Sequence, residues 1–595
     1  MSVKKNKGKI EKADKRILLL WLAMGIVPLI VMLIINSCSL GQYDWFSNTE
    51  TEPDFFLTYK MYGVIAVLCA MLCLMSFDMY KGNKSFDING KLAAVKHVLA
   101  VAGIYSLLCL VSAAFAQDKG AAFGGGYAQH ESVLALLGYI MIMIFAYCYM
   151  NNMSTFMMFY RLFVIATGVM AVIGLGQFFE MDLFNSSMGK SIITMFTDID
   201  PDRISLKFEP GTVYMTLYNP NYVGTYVALV LPFIVAGLYV MKQLWEKIMC
   251  GIVAVMLVIC LIGSDSTTGI IAIAVSALVL LAIALCGKVN NKKNVLITAL
   301  AVIAVLGAVA GINHDKISQA IDKYIVSQDD FGVTSMELQE DGVEIVFRGE
   351  TLKLSYNGED GSGVRMTNEA GEELPLQYNG LVLENTQLED GSAAFAASYG
   401  TIRYTFTNDN QENKYYFCNP YGKLTDNVVN GDRVLFNNYE RFASGRGYIW
   451  SRSIALLKDN LLIGCGPDNF IYEFPNNDYV SLYNNEDYSQ IVTRPHNMYL
   501  QVGVQTGVVS MILFILLYVI YFIQCVRIYT KECGDKSKWL IGVTIFVGTF
   551  GYMICGLAND STICVAPVFW GMLGIGYAIN YLVFRESADL KKNSK

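Results

Sequence analysis

About twelve stretches of this chain stay apolar for the thickness of a bilayer, and no other feature limits its fold as strongly. A helix needs about 20 consecutive apolar residues to cross the hydrocarbon. Inside it, every backbone polar group must be satisfied within the segment. The qualifying runs are Ile17–Ile35, Thr58–Phe77, His97–Ala116, Val133–Met150, Leu162–Phe179, Tyr222–Val240, Ile248–Gly263, Gly269–Cys286, Val295–Ile312, Val502–Val526, Trp539–Cys555 and Ile563–Phe584. Composition agrees: 54% of the 595 residues are hydrophobic and 16% are charged, where a soluble domain carries about 25%. The expected class is an all-α polytopic membrane protein of about twelve spans.

A net charge of -7 without a basic stripe leaves no footprint for nucleic acid. Most of the 14 cysteines, such as Cys69, Cys109 and Cys260, sit in apolar runs, where they act as small hydrophobes. No C-x-x-C pair has zinc spacing. The basic N-terminus is not followed by a cleavage site, so the first run is expected to stay as a span. Lys and Arg in the short loops set orientation. Lys4 to Arg16, Lys81 to Lys96, Lys242 and Lys247, Lys288 to Lys293, Arg527 to Lys538, and Arg585 with Lys591 fall on one side if each run spans once. Both termini are therefore expected in the cytoplasm.

The opposite side then receives Gln117–Ser132, Glu180–Asn221 and a long segment from Asn313 to about Gln501. Within the last, Ser327–Asn430 changes character. Alternating runs such as Val343–Phe347, Leu352–Tyr356 and Ile402–Phe406 are punctuated by Asn357-Gly358, Asp360-Gly361, Asn379-Gly380 and Asp390-Gly391. These are strand and hairpin signals. They predict a small antiparallel β domain inserted in an outer loop, either structural or a contact surface for a partner or acceptor. The expected organisation is 1–312 (about nine spans), 313–440 (β-rich insert), 441–501 (polar head) and 502–595 (three spans).

Ionisable residues avoid the centres of the runs: Glu131, Glu180, Asp265 and Asp560 are all expected at the outer rim. A transporter buries charge near the midplane, so the pattern fits an enzyme working at one surface. The densest polar and aromatic stretch is Ser444–Leu500, with one of only four histidines. The outer cations near the membrane are Arg203, Lys207, Arg446, Arg452 and Arg494. Arg, Lys or a helix N-terminus neutralises a phosphate or diphosphate. A mechanism without metal or other cofactor is expected. Arg446 and Trp450, spaced i and i+4, are expected on one helix face. Pro495 and Asn497 suit the start of a helix running from Met498 into the span that ends near Val526.

The ordered set Arg446-x-x-x-Trp450, Gly464-x-Gly466-Pro467 and His496-Asn497-x-Tyr499-Leu500-Gln501 resembles the O-antigen ligase and polymerase family. Asn219-Pro220-Asn221-Tyr222-x-Gly224 and Tyr127–Ser132 match it as well. The resemblance implies a GT-C-like glycosyltransferase in a bacterial cytoplasmic membrane. Its donor would be an undecaprenyl-diphosphate-linked glycan, its acceptor a glycan, lipid or protein. Arg446 and His496 are the implied catalytic residues. Arg203, Lys207, Asn219, Asn221, Trp450, Arg452, Asn497 and Tyr499 are the implied substrate contacts. Two departures stand out. The family's Ser-Arg reads Ser264-Asp265 here, so Arg203 or Lys207 is expected to replace that arginine, and its Glu-Thr-Gly reads Gln505-Thr506-Gly507. Bland readings accompany each site: Asn219-Pro220-Asn221 makes a good turn in any protein, and Trp450 and Tyr499 suit interface anchors. Ligase and repeat-unit polymerase would use the same parts. A transporter or a receptor built on the β insert is the remaining alternative.

Overall fold

The structure, a computed structural model, describes residues 12–46, 49–82, 90–286, 293, 296, 297, 300, 332–357, 363–409, 414–436, 439–485, 491–531 and 535–593. Among these, nine helices are long and apolar enough to cross a membrane: Thr58–Tyr80, Lys96–Phe115, Met153–Phe178, Pro220–Val240, Leu244–Gly263, Thr267–Leu285, Val508–Tyr529, Lys536–Cys555 and Ala566–Glu586. They coincide with nine of the expected runs, and the other three differ for separate reasons. The first is not one helix. Short helical pieces from Lys15 to Leu29 stop just past Pro28, and Ile34–Ser37 pairs as a strand with Thr51–Asp54. Proline supplies no backbone donor and clashes with the turn before it, a feature hydropathy does not register. Val133–Tyr149 is a helix of 17 residues, shorter than a standard span. Val295–Ile312 lies outside the described residues except at 296, 297 and 300.

Small residues let the spans approach. A Cβ on Gly224 would lie 2.1 Å from Ser266 Oγ, and one on Gly269 would lie 2.6 Å from Gly224 Cα. The glycine of the Asn219–Gly224 motif is thus a contact point between helices Pro220–Val240 and Thr267–Cys286, as small residues are elsewhere in membranes. At the end of the bundle away from the β sheets, charges are paired. Arg16 bonds Asp14 and Asp78 at 2.6 and 2.5 Å, and Tyr149 donates to Asp78 at 2.7 Å. Lys91, counted above as a loop charge, is buried there and donates to Met150 O and Asn151 Oδ1 at 3.1 Å.

The other end carries a head. Two antiparallel meanders form it: five strands from Val333–Gln339 to Glu373–Leu374, and six from Gln377–Tyr378 to Leu424–Thr425. Asn379 and Gly380, at φ 50° and 91°, close the turn between Tyr378 and Leu381, as the Asn-Gly signal predicts. Gly358, Asp360 and Gly361 lie outside the described residues. Alternate residues Val343, Ile345 and Phe347 point inward. They join one apolar core with Phe395, Phe417, Tyr448, Phe470, Tyr479 and Val504. The boundary at 440 therefore divides residues that share a core. At its centre lies Arg452, with a fully buried side chain paired to Glu440 and, at 3.3 Å, to Asp478. It also donates to Ser481 Oγ at 2.7 Å and lies over the Tyr448 ring.

Candidate active site

Four segments meet where the head joins the bundle: Gly126–Ser132, Tyr218–Tyr222, Arg494–Asn497 and Asn559–Ser561. Each begins a helix or leads into one, so their polar ends gather at one level. His496 Nδ1 lies 2.8 Å from Asp560 Oδ2; the imidazole is 43% exposed while the carboxylate is 1% exposed. One ring nitrogen is thus held by a buried acid and the other faces outward. An acid in that position fixes the tautomer of the ring it contacts. The backbone of His496 is left-handed, φ 50°, immediately before the helix that Asn497 caps.

Arg494, two residues earlier, is buried. It donates to Tyr222 Oη at 2.7 Å and to the carbonyl of Ala128. Burial works against its charge, but Tyr222, Asp560, Tyr218 and Glu131 more than offset this and raise its pKa.

Arg446 is half-buried and makes no hydrogen bond or ion pair with a described residue. Burial lowers its pKa, with Asp560 and Tyr222 acting in the opposite direction. Ala443, Ser444 and Gly445 are left-handed, so the regular helix expected to carry Arg446 and Trp450 begins only at about Arg446. A guanidinium in a first helical turn adds to the anion attraction of the helix N-terminus. A desolvated arginine without an acid partner is costly, and a bound anion would complete it.

Glu131 ties the segments together. Its Oε1 accepts from Tyr139 at 2.6 Å and Ser561 at 3.0 Å, and its Oε2 accepts from Gln501 at 3.0 Å. Burial lifts it to about 6, against the hydrogen bonds of Tyr139, Ser561 and Gln501. Gln505 donates to Gln129 Oε1 at 2.8 Å, and Gln129 to Thr493 O at 2.7 Å. The Gln129–Ser132 motif and the Gln501–Gln505 motif are one hydrogen-bonded unit.

The structure sorts the expected site residues. Arg446 and His496 come together around Asp560. Arg452 does not belong there: its guanidinium is saturated inside the head core, closed to any ligand. Arg203 and Lys207 are exposed on the loop before Asn219, and their side chains make no hydrogen bond or ion pair to a described residue. The buried cation beside Tyr222 is Arg494. Asn219 caps its helix through Asn221 N at 2.8 Å, and Asn221 stands half-buried in the first turn. Asn497 caps the next, accepting from Tyr499 N and Leu500 N. Tyr499 donates to Met553 O at 2.6 Å. The helix after Met498 ends at Thr506, and a second begins at Val508 because Gly507 turns the chain at φ 102°. Trp450 packs against Phe436 and Phe442. Asp560 and Tyr222 were not legible as site residues. Tyr222 stands in the Asn219–Gly224 motif, and the sequence offers Asp560 only as a rim carboxylate. Among the described residues, no group of three or more His, Cys, Asp or Glu could hold a metal ion.

Fold and site define a polytopic membrane protein with an arginine- and histidine-bearing head at one end of its helix bundle. Residues 393–515 match the family model described as O-antigen ligase. The match starts in strand Ala393–Tyr399, inside the β region, and takes in Arg446, Arg494 and His496. No curated protein matches the chain.

Proposed function

We propose that this protein is a GT-C-like glycosyltransferase that moves a glycan from a polyprenyl (undecaprenyl) diphosphate carrier to an acceptor. It would work on the outward face of a bacterial cytoplasmic membrane, without a metal. The observation that carries this reading is the His496–Asp560 contact, with the imidazole partly exposed, near the guanidinium of Arg446, which has no partner among the described residues. The acceptor hydroxyl oxygen attacks the anomeric carbon, and the bond from that carbon to the phosphate oxygen breaks. The electron pair leaves with the lipid diphosphate, while the hydroxyl proton passes to His496. Arg446 stabilises the charge that grows on the leaving group, an electrostatic role set up in advance. Arg494 and Tyr222 hold the floor of the site. Lys and Arg in the short loops opposite the head support an outward orientation.

The test is transfer from purified lipid-diphosphate glycan by full-length protein in detergent, scored beside the glycan profile of a deletion strain. Intact polymer left on the carrier indicates a ligase. Single repeats without long chains indicate a polymerase. Transfer that stops with a chelator and returns only with magnesium or manganese overturns the metal-free mechanism.

A further inference from the structure

A second polar cleft opens on the head end, of about 350 Å³, within the range of small-ligand sites. Glu52, Tyr62, Asp118, Tyr127, His130 and Tyr472 line it, with the backbone of Gly124–Gly126. No Lys or Arg lines it, the reverse of the Arg446–Arg494 site. The two are joined through one residue: Ala128 donates its N–H to Glu52 at 2.8 Å and gives its carbonyl to Arg494.

The cleft is built and incompletely satisfied. His130 is 3% exposed, yet its Nδ1 has no partner among the described residues, while its Nε2 lies 3.3 Å from Thr58 Oγ1 and 3.9 Å from Glu52 Oε2. A buried polar atom left alone is expensive. Asp118 accepts from Tyr472 at 2.7 Å and Ser39 at 3.2 Å, which fixes the Tyr472 ring at the wall. Burial lifts Glu52 to about 7, opposed by the Ala128 N–H and by Arg494. Burial also lowers His130, with Asp54 and Arg494 acting in opposite directions. Near neutrality Glu52 is therefore only partly ionised and His130 favours its neutral form, so both can exchange hydrogen bonds with a ligand. Carboxyl, imidazole and phenol groups around aromatic faces suit a ligand of many hydroxyls and an apolar face. Against the effect of burial, hydrogen bonds from Tyr472, Ala121 and Ser39 hold the Asp118 carboxyl below its usual range. That carboxylate and the lack of Lys or Arg in the lining disfavour phosphate and carboxylate ligands.

We infer that this cleft binds a saccharide, neutral or amine-bearing, and that Ala128 sets its distance from the diphosphate site. Its role as the acceptor side rests on the transferase reading; its capacity to bind sugar does not.

The experiment is saturation-transfer NMR on the full-length protein in detergent, without donor. Three disaccharides of similar size serve as probes: neutral N,N′-diacetylchitobiose, amine-bearing chitobiose and the carboxylate-bearing hyaluronan disaccharide. The first two should bind and the third should not. Tyr472→Ala should weaken binding at least tenfold. Should that variant fail to fold, Gly124→Phe replaces it: a Cβ there meets nothing within 4 Å, and the ring obstructs the cleft. Arg446→Ala should leave sugar binding intact even where it abolishes transfer, which separates failure of this site from failure of the transferase. Binding of the acidic disaccharide as well as the neutral one overturns the inference, and so does binding unchanged by Gly124→Phe.

Discussion

Two arginines on one helix, six residues apart, show how differently this head treats the same side chain. Arg452 is enclosed by Glu440, Asp478, Ser481 and the Tyr448 ring, with no exposed side-chain surface. Arg446 is half-buried and unpaired among the described residues, near Asp560. The first has all the partners that a buried guanidinium requires; the second has been desolvated without them. A satisfied charge reports on structure, and a charge held short of its partners reports on a ligand. The opposite end of the bundle supports this: Arg16, Asp78 and Lys91 are all paired there.

The sharpest way to break the comparison is to exchange the roles. Arg452→Ala leaves two buried carboxylates facing each other, and removing one partner of such a pair costs about 3–5 kcal/mol. The head should unfold or fall sharply in Tm in detergent. A variant with unchanged Tm would mean that Arg452 is not structural.

Arg446→Ala should leave Tm unchanged or slightly raised, because the side chain has no partner to lose among the described residues and its desolvation is costly, while transfer falls about 10²-fold or more. Arg446→Lys should recover only part, because a point charge cannot replace a planar fork. Normal transfer by Arg446→Ala would remove it from the mechanism.

Asp560→Asn tests whether the acid acts through His496. A drop of about 10²-fold in kcat is expected, the scale of general-base catalysis. In combination with His496→Ala the two losses should not add. Full additivity in kcat would show that they act separately.

A pH-dependent effect, read as a trend rather than at one condition, concerns Asp468, a buried acid at φ 57° whose Oδ2 accepts from Gly126 N at 2.9 Å. Burial raises it from 3.8 to about 8, against the Gly126 N–H. A raised folded-state value means that its contribution to stability is complete below about 4 and is lost as pH rises toward 8. Asp468→Asn keeps the shape and suits a left-handed backbone. Its Tm should gain on wild type progressively from pH 5 to pH 8, and a constant difference across that range would refute the assignment.

Much of the bundle was legible, because a span needs only length and apolarity. What escaped was whatever composition does not encode: Pro28 breaking the first run, and Gly507 dividing the helix after Met498. The hairpin at Asn379-Gly380 was readable from two residues. The shared core of strands and head helices was not, since Phe395 and Tyr479 meet only in the folded chain. In the site, Arg446 and His496 carry a recognisable order. Asp560 lies 64 residues from His496 with two membrane helices between them, and no local pattern links the two. Arg452 and Arg494 looked alike as charges, and only their partners tell them apart.

The left-handed backbone of His496 has a consequence for how this position tolerates change. A non-glycine residue there is held at a cost of about 1–2 kcal/mol that glycine avoids. Glycine at 496 would remove that strain but leave the Asp560 carboxylate, 1% exposed, without the imidazole it meets at 2.8 Å, and an uncompensated buried charge costs more than the strain does. Backbone ease and buried-charge compensation therefore pull this position in opposite directions.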